Sequence, residues 1–531
     1  MAGGPVHRKG HCSRTCEWNG DAEMVKHVLF ISIDSLRCDH LSVYADIPAT
    51  LDNPVATPNL DRFCERATVF DTHYAGSLPC MPARREWLAG VQEFLWRPWG
   101  PIEPFDRTIP QVCRENGIVS QLITDHYHYF QHGSHGFYED FNGFDYIRGH
   151  EVDQWRTTPA EPDPRLLTQM GVETQSELRD VGYTNRAGYA RNMWGVDELD
   201  EELFFGPKVF QRVADWIRDA RDWDQWFCYV DSFDVHEPFH CPEPYASMYT
   251  NEDPTDPDLT HWPLYGRVDE GESALSQREI DFVASQFAGK TTMVDRWFGR
   301  VLDRLDRVQA WDDTMVIVTS DHGHYLGDYG WMGKPQAPVY DVLARTPLLI
   351  AHPESSRERQ PALTSAVDLY ATILDALELP TTGGPHSHSL MPLLSDASTH
   401  RDWALYGYWG SSVNVTDGQY TYLHPANETV PAECYSTEMM NTGDRFRPRR
   451  MKPDATVGKL PYADGPVWKF STSSHSRHED PLLFDVREDP QQQQQLASDA
   501  VKEGQRMREL LTTALSSLEA PDSVIDRLQP L

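Results

Sequence analysis

The run Val28-Leu29-Phe30-Ile31-Ser32-Ile33 is apolar at all but one position. That is the pattern of a strand covered on both faces in a parallel sheet, not of one with a solvated side. Similar short runs recur at 119–124, 226–232, 315–320 and 347–351. Between them the apolar positions fall into helical spacing. The clearest case places Ile280, Val283, Phe287, Val294, Trp297, Phe298, Val301, Leu302 and Leu305 on one face, with arginines and aspartates on the other. Strands alternating with helices predict an α/β domain, a mainly parallel central sheet flanked by helices.

In such sheets ligands gather beyond the carboxyl ends of the strands. Asp34 follows the first run, Asp231 to His236 follow the third, and Asp321-His322 follow the fourth. The chemistry-bearing residues are therefore expected on one edge. Residues 26–395 are read as the catalytic domain, with 151–205 as a lid or insertion and 240–275, rich in Pro, Asp and Glu, as a long loop. Beyond 396 come short aromatic runs (Trp403–Trp409, Gln419–Leu423) and a helical stretch after Val501. This part, 396–531, is expected to be a small α+β subdomain, an antiparallel sheet with a helix. Residues 1–25 read as a disordered tail.

Composition narrows the function classes. Apolar residues make up 40% of the 531, so the chain can bury a large core. The formal net charge of −34 argues against nucleic-acid and anionic-membrane partners, which would be repelled at long range. No apolar window is long enough to span a bilayer, and no apolar stretch follows the first residues, so a cytoplasmic protein is expected. Nine cysteines, an odd number, do not read as a disulfide framework. His7, His11, Cys12 and Cys16 lack the spacing of a zinc finger, and the basic run Arg445–Lys452 reads as a solvated loop.

Chemistry concentrates at Cys80-Met81-Pro82-Ala83-Arg84, a C-x-P-x-R motif closing on Leu88-Ala89-Gly90. In chain order with it stand Asp34-Ser35, Asp231 to Pro238, Thr319-Ser320-Asp321-His322-Gly323-His324 with Gly333-Lys334, and Pro481 to Pro490. Together these resemble the type I, formylglycine-dependent sulfatases of the alkaline phosphatase superfamily. The resemblance implies an alkaline-phosphatase-like fold and a metal-dependent sulfuric ester hydrolase. It implies that a formylglycine-generating enzyme oxidises Cys80 to 3-oxoalanine (formylglycine), whose hydrate attacks the ester.

By the same resemblance Asp34, Cys80, Asp321 and His322 hold one divalent cation. Oxygen-rich ligation favours calcium, and the histidine admits manganese. Arg84 is implied to steady the hydrate at residue 80 or an oxygen of the substrate, Lys334 to contact the sulfate, and His236 to protonate the leaving group or bind sulfate. His126 and His128 are implied substrate ligands, His126 standing where many sulfatases carry lysine. That exchange predicts a charge titrating near neutrality, with activity falling as pH rises. Ser35 stands where a second aspartate is usual, which keeps the related phosphonate monoester and phosphodiester hydrolases open as the alternative. A catalytically silent binding member is a further one. The substrate is read as a small-molecule or saccharide sulfate ester, and a homo-oligomer is open.

Overall fold

Alternate residues of the first strand point into different cores. In the computed structural model His27–Ile33 is buried throughout. Leu29, Ile31 and Ile33 belong to one apolar cluster, Val28 and Phe30 to another. The division repeats at Cys228 and Val230 against Phe227 and Tyr229, and at Val316 and Val318 against Met315 and Ile317. A two-residue period with both faces apolar requires a layer of helices on each side. The structure describes residues 25–528 except 46, 48–53, 132, 158–161, 173–185, 198, 336–337, 356–357, 440–451, 475–477 and 497–500. The cluster His7 to Cys16, the rest of the expected tail up to Met24 and the basic run up to Met451 lie outside the described residues.

The central sheet has eight strands, in the order Arg359–Ser365, Thr68–Tyr74, Leu348–Ala351, Thr314–Thr319, His27–Ile33, Trp226–Ser232, Val119–Thr124 and Gly143–Tyr146. Leu348–Ala351 runs antiparallel to both neighbours, and the remaining pairs are parallel. Helices Phe205–Ala220 and Gln277–Val308 cover one face through residues such as Val209, Val213, Phe287 and Val294. Helices Cys80–Ala89, Ile109–Glu115 and Asp368–Ala376 cover the other through Met81, Trp87, Val112 and Ile373. The long helix opens on a capping box: Ser276 and Glu279 each satisfy the other's backbone N–H. Within 151–205 the described residues include the short helices Pro164–Gln169 and Ala187–Asn192.

A second, five-stranded sheet comprises Leu482–Asp485, Tyr420–His424, Val413–Thr416, Ala404–Tyr408 and Ser77–Leu78. The Val501–Ser517 helix packs Met507, Leu511, Ala514 and Leu515 into its core. Its last strand comes from the other part of the chain: Ser77 and Leu78 pair with Gly407 and Tyr408 immediately before Cys80. The subdomain expected after residue 396 therefore shares its sheet with the segment that delivers Cys80. No helix among the described residues is long and apolar enough to cross a membrane.

Candidate active site

Asp34 leaves the first strand directly, with its backbone N–H held by Ser232 O at 2.9 Å. Ser35 then adopts φ 63°, a left-handed conformation unusual for a residue with a Cβ. The turn is fixed by two bonds: Ser35 N donates to Asp321 Oδ1 at 3.1 Å and Ser35 Oγ to Asp34 Oδ1 at 2.7 Å. Ser35 is thus a neutral donor that braces both carboxylates, at the position where the resemblance predicts a further carboxylate.

Cys80 is the first residue of a helix buried along its whole length. Arg84 lies one turn on, the same face at i and i+4, and donates to Cys80 O at 3.0 Å. Its guanidinium reaches three carboxylates, with Nη2 2.9 Å from Asp34 Oδ2, Nε and Nη2 3.1 and 2.9 Å from the two oxygens of Asp231, and Nη1 on Asp321. Burial works against this charge, but Asp231, Asp321 and Asp34 outweigh it and hold Arg84 protonated. A planar five-donor fork suits this bridging, which a lysine could not copy.

Asp34, Cys80, Asp321 and His322 each bring one ligand-type atom to within 4.8 Å of the others, all four buried. His322 donates from Nδ1 to Gly323 O at 2.8 Å, which leaves Nε2 as a lone pair 3.3 Å from Cys80 Sγ and 3.2 Å from Asp321 Oδ2. Burial holds this ring neutral, its pKa down to about 3. Burial, and next the neighbouring Asp321, push the Asp34 carboxyl up to about 8, against Lys334 and Arg84. A neutral imidazole aimed by its second nitrogen, two crowded carboxylates and a sulfur make a donor set that fits a divalent cation.

Lys334 follows the Trp331–Gly333 strand. Its Nζ lies 3.7 Å from Asp34 Oδ1, is buried, and makes no hydrogen bond among the described residues. Burial disfavours its charge, but Cys80, Asp34 and Glu237 outweigh it and keep the ammonium. Tyr408, from the second sheet, donates to Lys334 O at 3.0 Å. His236 is buried and donates from Nδ1 to Glu237 O at 2.7 Å, with Glu237 Oε2 3.4 Å away. Glu237 in turn accepts from Tyr265 and from His324 Nε2.

His126 donates from Nδ1 to Asp231 Oδ2 at 3.0 Å and stacks on Phe233 at 4.3 Å. Burial, then Arg84, push its pKa down to about 3. The expectation of a charge titrating near neutrality is therefore corrected. The ring is neutral, and Nε2, buried and without a hydrogen-bond partner among the described residues, can only accept. His128 Nδ1 lies 2.5 Å from Gln131 Oε1, and its Nε2 is 3.2 Å from Glu151 Oε2. Asp231, which ties Arg84 to His126, went unassigned in the sequence, although its place at a strand end was the available signal. Glu237 was likewise legible only as a neighbour of His236.

The Sulfatase family model matches residues 26–379. The chain belongs to the sulfatase family. Over 435 residues it is 27% identical to the multifunctional alkaline phosphatase superfamily protein PehA of Trinickia caryophylli, covering 71% of this chain and 78% of that protein. It is 22% identical over 441 residues to the choline-sulfatase of Rhizobium meliloti, covering 78% and 80% respectively. Its fold matches the phosphonate monoester hydrolase of Agrobacterium radiobacter with a TM-score of 0.60 at 20% identity, over 93% of this chain and 95% of that one. Family homologues make this sulfatase a hydrolase, and its described residues include a candidate metal-binding group.

Proposed function

We propose that this sulfatase cleaves sulfate esters of small alcohols or saccharides with residue 80, matured to formylglycine, as nucleophile. The observation that carries this is the convergence of Cys80, Asp34, Asp321 and His322 beside Arg84 and Lys334. Oxidised and hydrated, residue 80 would supply two hydroxyls on one carbon. A divalent cation held by Asp34, Asp321, His322 and residue 80, calcium or else manganese, would acidify the attacking hydroxyl and polarise the ester.

The other residues do the rest. Arg84, fixed by three carboxylates, orients residue 80 through its carbonyl. The Lys334 ammonium, which makes no hydrogen bond among the described residues, neutralises a sulfate oxygen as charge moves onto the group. His236 faces the departing alcohol; burial holds its pKa well below the ordinary value against the opposing pull of Glu237, so the ring can give the alcohol a proton only after taking one up. His128, clamped by Gln131 and Glu151, shapes the pocket wall, and His126 offers an acceptor where a lysine would offer donors.

The second reading, hydrolysis of phosphonate monoesters or phosphodiesters, rests on Ser35 standing where the sulfatase pattern carries a second aspartate. Ser35 and neutral His126 leave the pocket with one carboxylate and one cation fewer than the pattern expected of a sulfatase. Substrates of both classes carry a single negative charge, so matched esters must decide.

The test begins with mass spectrometry of the peptide spanning residues 77–90 from protein made in its native host. A loss of about 18 Da at Cys80 is expected, the change from thiol to aldehyde required for this nucleophile. Active protein with an unmodified thiol would overturn the mechanism. Aryl sulfate and aryl phosphonate monoester carrying the same phenol then separate the two readings by their ratio of kcat/KM.

A further inference from the structure

Behind the histidine-bearing loop lies a buried polar cluster that the reaction above does not use. Asp125, His150 and Asp234 place ligand-type atoms within 4.8 Å of one another. A cation already lies among them, because the ammonium of Lys290 is paired with Asp234 Oδ1. The cluster thus already holds a cation of its own, in the pair of Lys290 with Asp234.

What the ammonium does is set by its other two bonds. Lys290 Nζ donates to His236 O at 3.0 Å and to Pro238 O at 2.9 Å. All three donors of the side chain are thereby used, two on the carbonyls at and just beyond His236, one on the carboxylate two residues before it. Asp234 is itself fixed from two further directions, by His150 Nε2 at 2.6 Å and by Gly206 N at 3.0 Å. Elsewhere the loop is held by Phe233 N on Asp125 Oδ1 at 2.7 Å and by Val235 N on Asp34 O at 3.1 Å. Of these groups only Lys290 grips the chain on both sides of His236.

The sequence accommodates this at some cost. Lys290 sits in the Gln277–Val308 helix on a stretch buried from Phe282 to Asp295, where an unpaired ammonium would not be tolerated. The preceding residue is glycine, and a Cβ there would lie 2.4 Å from Tyr245 O. Gly289 lets the segment that follows the histidine loop come down onto the helix, and Lys290 then ties the loop itself.

We infer that Lys290 is a positioning residue for the reaction: it fixes the backbone around His236 and so sets where that imidazole meets the leaving group. The inference rests on the reading of His236 as the group facing the departing alcohol. Lys290→Met, Lys290→Gln, His236→Gln and the double variant Lys290→Met with His236→Gln are compared with the matured, metal-loaded wild type. The substrates are aryl esters of graded phenol acidity, and metal content is measured on each protein.

Lys290→Met is expected to lose roughly ten- to hundredfold in kcat/KM on the least acidic phenol, the scale of a displaced catalytic group. On the 4-nitrophenyl ester it should stay within about threefold of wild type. The double variant should be no slower than His236→Gln alone, and metal content should not change. Equal losses on every ester, or losses that multiply in the double variant, overturn the inference. If Lys290→Met does not hold its secondary structure, Lys290→Gln, which keeps two donors, decides by the same criteria. If His236→Gln loses equally on all esters, the acid role of His236 fails instead. Lys290 is then judged by the double variant alone, where losses that do not multiply sustain it and losses that multiply sink it.

Discussion

At position 126 burial decides chemistry that residue type leaves open. An exposed histidine titrates near 6.5, whereas this one sits between Asp231 and Phe233 with no exposed surface and a pKa of about 3. The folded value lies below the unfolded one, so between these pH values the unfolded chain binds a proton that the folded chain refuses. Stability contributed by the neutral ring is thus present above about pH 6.5 and lost as pH falls toward 3. His126→Asn should therefore show its largest stability deficit near pH 7.5 and a smaller one at pH 5, read from urea midpoints. Its kcat/KM profile from pH 6 to 8.5 should keep the wild-type shape. An inflection in that range that the variant removes would show that His126 titrates in the working enzyme. Burial of this kind is invisible in a single chain: the motif Asp125-His126-Tyr127-His128 was legible, its charge state was not. Asp231 and Lys290 were missed for the same reason, since a strand-end aspartate and a helix lysine have bland readings until their partners are known.

At the level of elements, five strands and the long helix were readable because their faces are apolar on both sides or on one stripe. Three strands of the central sheet were not, and one of them, the edge strand Gly143–Tyr146, is too short and too exposed to show an apolar run. Arg359–Ser365 contains Pro361, which reads as a break. It is tolerated because this is an edge strand, with a register shift between Gln360 and Leu363. Thr68–Tyr74 mixes Asp71, Thr72 and His73 into its run and loses the apolar signature. The turn after Thr314–Thr319 shows how elements hold the site. Gly323 donates to Leu343 O at 2.9 Å, and a Cβ there would lie 1.9 Å from Val342 O. The obstacle is backbone, so Gly323→Ala must push the Asp341–Ala344 helix away from Asp321 and His322. It should cost about 1–3 kcal/mol of stability, as overpacking does, and weaken metal retention on dialysis against a chelator. Unchanged melting and metal content would mean the two segments part freely.

For the molecule as a whole, the second sheet is more than an appendage. It contributes its own helix-covered core, yet its last strand, Ser77–Leu78, leads into the helix that opens at Cys80, and its Tyr408 holds the backbone of Lys334. Two further contacts tie the C-terminal part to the same region: Gln492 Oε1 accepts from Asp341 N at 2.6 Å and Gln491 O from Tyr329 at 2.6 Å. Cys80 and Lys334 are thus both referenced to one sheet, so residues on both sides of the 395–396 boundary hold the candidate site. Tyr408→Phe tests this with a single atom. Removing the hydroxyl leaves Lys334 O without that donor while the ring keeps its packing. A lost hydrogen bond of about 1 kcal/mol predicts a roughly fivefold fall in kcat/KM, with metal content unchanged. A lower melting temperature with unaltered kinetics would instead make the bond a fastening of the junction alone. The kinetic outcome would show that the smaller sheet sets the position of Lys334, so that changes far along the chain can act at the candidate site.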